Sequence, residues 1–157
     1  MRLPAQCAQR RARHEAEHGA ILIEFTLTVT VLVLLFLGAW QFGYAFYLYA
    51  ELDQAVRAGA RYAALRTYDS ANETPTGAFQ SAVQNVVVYG DPAGGANAIV
   101  PGLTTGNVSL TVTFSHAAPA SVAVAVTNFQ VSALFTAVTL SNKPVSQFPY
   151  MGTFGPP

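Results

Sequence analysis

The chain has 157 residues, 52% of them hydrophobic and only 10% charged. That is far below the roughly 25% charge usual for a soluble domain. Eight basic and eight acidic residues cancel, so nothing in the balance points to nucleic acid. The length leaves room for one small domain beside a membrane segment, and the lone cysteine, Cys7, rules out an internal disulfide.

The chain opens with a polar leader, residues 1–19, carrying Arg2, Arg10, Arg11 and Arg13 beside Glu15 and Glu17. At His18-Gly19-Ala20 the character changes, and an almost unbroken apolar run begins with Glu24 as its one charge. A carboxylate near the centre of a bilayer costs about 2.5–3.5 kcal/mol on insertion scales, so such a group is ordinarily functional. From Phe25 to Ala50 nothing is charged, a run of 26 residues. About 20 suffice to cross a bilayer. Secretory signal cores run to only about 7–15 residues, which sets this segment apart from them. The neighbours of Arg10-Arg11 do not support a twin-arginine signal.

The arginine-rich leader is expected to stay in the cytoplasm and the carboxyl-terminal part to lie outside. Arg57, Arg61 and Arg66 on the other flank weaken that asymmetry. Trp40, Phe42, Tyr44, Phe46, Tyr47 and Tyr49 crowd the far end of the run, as residues of a headgroup-level aromatic belt do. No proline interrupts Ala20–Thr67, so one helix is expected to continue past the membrane, about 70 Å at 1.5 Å per residue. Asp53 and Arg57 stand four apart in the favourable order. Ala39/Gly43, Ala55/Gly59 and Ala60/Ala64 repeat small residues at the spacing that lets another helix approach.

Thr67–Thr76 is polar and reads as a linker. Phe79, Val83, Val86 and Val87 then recur at helical spacing, with Thr76 as the cap and Gly90 as the stop. A loop rich in glycine and proline occupies Gly90–Gly106. Val108, Leu110, Val112 and Phe114 alternate with polar residues, and Val122, Val124 and Val126 alternate with Ala and Thr, giving two strands joined across His116–Ala120. The parity shift after Val126 marks a bulge or the strand's end. Phe129–Leu140 is apolar and ambiguous, and the proline-bearing tail from Lys143 reads as extended. The fold class is therefore α+β: a long amino-terminal membrane-spanning helix continues into a small distal head with a second helix and a short antiparallel sheet. The expected division is 1–19 leader, 20–50 transmembrane, 51–67 protruding helix and 76–157 head.

Catalytic readings find little support. His14 and His18 are four apart but lack a suitable third ligand, His116 stands alone, and Asp69, Glu73 and Asp91 read as solvated loop carboxylates. Two formal glycosylation sequons, at Asn72 and Asn107, require a eukaryotic secretory route. No enzyme, cofactor or metal is expected. What remains is Gly19 and Glu24. Cleavage after Gly19 would free an amino group on Ala20, with an ordinary pKa near 7.7–8.0. Glu24 lies one helical turn on, on the same face, where its carboxylate can offset that charge in its own chain or a neighbour's.

Gly19, Glu24-Phe25, the apolar run, Gln41-Phe42-Gly43 and Ala58-Gly59-Ala60-Arg61-Tyr62-Ala63-Ala64 together resemble the TadE-like family of pilin-like proteins of tight-adherence (Flp) pilus systems. The resemblance covers about Gly19–Leu65. It implies a bacterial inner-membrane prepseudopilin, cut between Gly19 and Ala20 by a membrane aspartyl prepilin peptidase. It also implies a minor pilin-like component supporting pilus biogenesis, adhesion and biofilm formation, with Glu24 and Phe25 serving assembly. The expected partners are membrane lipid, the peptidase and other pilins and pseudopilins. The head is expected in the periplasm, on the pilus or at the cell surface. Glu15 and Glu17 depart from the basic flank expected beside the cut. The competing reading is an uncleaved single-pass anchor presenting the head as a binding module.

Overall fold

The computed structural model describes residues 4–132 and 137–156, with side chains from Gly19 to Val131 and from Val138 to Pro156. The leader side chains named above, the metal reading of His14 and His18 included, lie outside them. The architecture is α+β: a long amino-terminal apolar helix, a second helix and antiparallel sheet. The chain divides into two compact units, 1–43 and 44–157.

Helix α1 runs Pro4–Leu65. Pro4 suits a first helical position, where the missing N–H would have no partner, and the next proline is Pro75. From Gly19 on, α1 is long and apolar enough to cross a membrane, with a mean hydropathy of 2.6 in its most apolar window. In the described part of the first unit its large apolar side chains are exposed, apart from a half-buried Leu37. The threonines there satisfy themselves: Thr26 donates to the Leu22 carbonyl and Thr30 to that of Thr26, each at 2.7 Å. That leaves two fewer polar groups for an apolar solvent to accommodate.

In the second unit one face of α1 is core. Leu48, Leu52, Ala55, Val56, Ala60, Ala63 and Ala64 are buried. Helix α2, Gly77–Tyr89, buries Phe79, Ala82, Val83, Val86, Val87 and Val88. Its start and stop are the expected ones. The Thr76 side chain accepts from the Phe79 N–H, and Gly90 takes a left-handed φ of 79° while its N–H bonds the Val86 carbonyl, as a glycine at a helix end does. Gly59 of α1 faces α2; a methyl group there would collide with Val87 Cγ2. The small-residue spacing Ala55/Gly59 thus serves packing within the unit, whereas nothing lies within 4 Å of a methyl built at Gly43.

The main sheet has the order β1-β2-β5, all antiparallel, from strands Val108–Ser115, Ala118–Val126 and Val145–Pro149. β3, Phe129–Ser132, pairs with β4, Ala137–Leu140, in a separate two-stranded sheet. The inward face stacks Val108 on Val126, Leu110 on Val124 and Val112 on Val122, cross-strand pairs worth about 0.2–1 kcal/mol each. β2 ends at Val126 and Asn128 takes a φ of 53°, so the parity shift marks a strand's end. The tail read as extended forms β5 from Val145.

The connection expected over His116–Ala120 is shorter. β1 reaches Ser115 and β2 starts at Ala118, leaving His116 and Ala117 with φ of 54° and 61°. Two left-handed residues in a two-residue loop match the twist of paired strands. Pro119 sits inside β2 opposite Phe114, where the register shifts after Thr113. A bulge is one of the few places a sheet accepts proline. A left-handed conformation costs a residue with a Cβ about 1–2 kcal/mol. Ala117→Gly should therefore stabilise the folded chain by about 1 kcal/mol, less the entropy glycine adds to the unfolded state. An unchanged or lowered denaturation midpoint in detergent would contradict this turn.

Candidate functional site

Gly19, Ala20, Glu24 and Phe25 all lie within α1. Ala20 and Glu24 are one turn apart, and both are exposed. Ile21, Leu22, Ile23, Phe25 and Leu27 are each 60–69% exposed, and no atom approaches a methyl built on Gly19 within 4 Å. Among the described residues Glu24 has no ion-pair partner; the ion pair found there is Asp53–Arg57 at 2.8 Å. The structure brings these four residues together only as neighbours on a helix surface. That surface is apolar over many residues, a feature that marks contact with lipid or protein when it is contiguous.

The bond between Gly19 and Ala20 is helical, so the Gly19 carbonyl has the residue 23 N–H as its partner. A peptidase needs that carbonyl free. Glycine costs about 0.8–1.0 kcal/mol more than alanine inside a helix, which makes Gly19 a weak point for local opening.

In the head, no group of three or more His, Cys, Asp or Glu is placed to hold a metal among the described residues. His116 is an exposed turn residue with Nδ1 3.0 Å from the Ser115 hydroxyl. Asp91 caps its own turn, accepting from the Ala93 N–H at 2.8 Å. Asp69 departs from the solvated reading. Its Oδ2 accepts the Thr76 hydroxyl at 2.7 Å, and its Oδ1 is buried with no partner.

The segment read as a linker holds the residue that sequence reasoning missed. Tyr68 is fully buried and packs against Phe79, Phe114, Tyr150 and Phe154, with ring centroids 5.2–6.4 Å apart. Around it the tail closes over the end of α1. The Met151 N–H donates to the Ala64 carbonyl, the Tyr68 N–H to the Thr153 carbonyl and the Gly155 N–H to the Tyr68 carbonyl, at 2.9, 2.9 and 3.1 Å. The Tyr150 hydroxyl accepts from the Tyr68 N–H at 2.9 Å, and it shares its one hydrogen between the Arg66 and Thr153 carbonyls at 2.8 and 2.7 Å. Helix ends leave carbonyls without partners, and here the tail supplies the donors. The only trace of this in the sequence is a tyrosine set alone in a polar stretch.

Burial raises the pKa of both Tyr68 and Tyr150 above 10.0, with the Asp69 charge adding in the same direction and hydrogen bonds opposing it. A raised pKa in the folded state contributes stability that is complete below pH 10 and is lost as pH climbs through the folded values. The melting temperature should fall above pH 10, and Tyr150→Phe should flatten that fall. A pH-independent melting temperature up to pH 11.5 would refute it.

Residues 19–61 match the family model described as TadE-like protein. No curated protein and no solved structure was found to match.

Proposed function

We propose that the chain is a minor pilin-like, or pseudopilin, structural component of a tight-adherence (Flp) type IV pilus assembly system. The observation that carries the reading is the match over residues 19–61. It falls on the stretch where Gly19, Glu24 and an exposed apolar helix follow one another. Involvement in such pilus systems is what this family suggests, and its role there is structural rather than catalytic.

In this reading residues 1–19 are a leader removed by a prepilin peptidase between Gly19 and Ala20. Residues 20–50 hold the protein in the bacterial inner membrane, with the head 76–157 on the periplasmic side. Removal of the leader takes four of eight basic and two of eight acidic residues, so the mature chain carries four against six, a net charge of −2 before its new amino terminus is counted. Glu24 and Phe25 serve packing against other pilins and pseudopilins, supporting pilus biogenesis, adhesion and biofilm formation.

Intact mass of the chain extracted from its native membrane tests this, beside a Gly19→Val variant. Valine removes the glycine whose low helix propensity favours local opening at the cut. A mature chain starting at Ala20, with the variant left full-length, is the expected result. Full-length chains in both would sink processing. They would favour an uncleaved single-pass anchor bearing a binding module.

A further inference from the structure

The core of the second unit can be ordered along α1. At the carboxyl-terminal end of the helix the Tyr68 ring meets Phe79, the third residue of α2, and Phe114, near the end of β1, at 5.2 and 5.7 Å between centroids. From there α2 leads back along α1, with Val87 against Gly59. β1 starts beside α2, because Gln84 donates to the Val108 carbonyl at 3.1 Å. β2 returns to that end of the sheet, where Val126 stands opposite Val108. Phe129 and Val131 of β3 follow, buried in the same core as Leu52 and Leu48. Those two leucines lie seven and eleven residues before Gly59. That order puts the β3–β4 hairpin at the end of the unit nearest Ala50, opposite the Tyr68 end.

Ala50 fixes the depth of that end. Residues 20–50 number 31, about 46 Å of helix. A bilayer measures about 40–45 Å with its headgroups and about 30 Å without them. The run therefore spans both headgroup layers, and the hydrocarbon ends about 5–7 Å inside Ala50, near Phe46. Leu48 falls within the outer headgroup layer. Glu51 and Asp53 fall just beyond it, where water serves their carboxylates.

The chemistry of the hairpin suits that depth. Val131 of β3 pairs with Val138 of β4, so their side chains share a face. Val131 is buried and Val138 is 54% exposed, so the apolar face of the hairpin runs past the edge of the core. One exposed valine is ordinary on a protein surface; its depth and its surroundings single this one out. No residue between Asp91 and Lys143 is charged. The sheet has only two strands, so each keeps one unpaired edge. Edges facing water are ordinarily guarded by charge or proline, and neither strand contains either. Unpaired backbone groups cannot enter the hydrocarbon. The headgroup layer holds enough water for the edges and takes apolar side chains on its inner side.

We propose that the β3–β4 hairpin rests in the headgroup layer of the leaflet where α1 leaves the membrane, with Val138 turned to the acyl chains. The head is then held against the bilayer by two elements rather than by α1 alone. The inference rests on reading 20–50 as a membrane span. It does not depend on processing or on a pilus. An apolar protein surface is the other occupant such a face could take, but nothing would tie it to the depth of Leu48.

The test uses the full chain in vesicles of phosphatidylcholine and phosphatidylglycerol, with tryptophan fluorescence as the readout. Trp40 is the one tryptophan, so Trp40→Phe leaves any introduced tryptophan alone. Val138→Trp reports on the hairpin. Thr113→Trp, also at an exposed position but near the Phe114 end of β1, is the control. Val138→Trp should lose emission to lipids carrying a nitroxide just below the headgroup and be shielded from aqueous iodide. Thr113→Trp should show the reverse. Equal iodide quenching of the two variants, with wild-type Trp40 still quenched by nitroxide lipids, would overturn the proposal and leave the span intact. Val138→Trp shielded from both quenchers would also overturn it, because protein rather than lipid would then cover this face. Wild-type Trp40 beyond the reach of every nitroxide lipid would overturn the span and the proposal together.

Discussion

Gly59→Leu should unfold the head. Gly59 is the point where α1 and α2 meet, and even a single methyl there collides with the Val87 side chain and lies 3.6 Å from the Val83 carbonyl oxygen. Val83 and Val87 are both fully buried and β-branched, so neither has a free rotamer to retreat into. Forcing extra methylenes into a packed core costs about 1–3 kcal/mol, and more where backbone must move. Here the two helices would have to separate, uncovering valines whose burial is worth about 1.5–3 kcal/mol each. A head this small has little stability in reserve.

Gly59→Ala is the sharper probe, because two effects oppose. Alanine gains about 1 kcal/mol of helix propensity, while the collision with Val87 takes that and more. Net destabilisation is expected. Pairing it with Val87→Ala should recover part of the loss, with a coupling of about 0.5–3 kcal/mol. Denaturant unfolding of the full chain in detergent measures all four species. If Gly59→Ala alone stabilises by about 1 kcal/mol, α1 and α2 do not cross at this residue.

Where one local rule governs several residues, the sequence was readable. α1 shows itself by seventy consecutive residues without proline after Pro4, and α2 by a threonine cap, a glycine stop and apolar residues three and four apart. β1 and β2 show themselves by strict alternation. The hairpin between them was obscured because its left-handed positions hold His116 and Ala117 rather than asparagine and glycine, and because Pro119 sits in a strand. β5 was hidden by Pro144 and Pro149 at its ends. Tyr68 was hidden because its partners lie far along the chain: Tyr150, whose hydroxyl it meets, is 82 residues away. No local pattern reports a contact of that separation. The candidate site is the opposite case. Gly19, Ala20, Glu24 and Phe25 were conspicuous in sequence, and the fold adds only that they are helical, with Ala20, Glu24 and Phe25 exposed and Gly19 half-buried. What would complete such a site is another molecule.

Glu24→Leu should therefore leave the protein in the membrane and its leader removable, and still abolish its incorporation with other pilin-like subunits. Replacing a carboxylate by leucine makes the helix more apolar, so anchoring can only strengthen. The proposed cut, between Gly19 and Ala20, would lie about one helical turn upstream of Glu24. On the proposed reading, what disappears is the counter-charge for the amino group that processing would free on Ala20. Opposite charges about 4 Å apart interact by about 4 kcal/mol at an effective dielectric constant of 20. Retaining even half of that in the packed assembly corresponds to more than a tenfold shift in incorporation, since 1.4 kcal/mol is a factor of ten. Glu24→Gln keeps the shape and the hydrogen-bonding capacity but not the charge, and should lose nearly as much. The pH dependence separates pairing from mere polarity. Raising pH past the ordinary amino value of about 7.7–8.0 neutralises the amine, so incorporation of the wild-type chain should weaken there while that of Glu24→Gln stays flat. Quantifying the chain in sheared surface fractions against the membrane pool measures this. Wild-type recovery of Glu24→Leu would show that the carboxylate does not register the subunits.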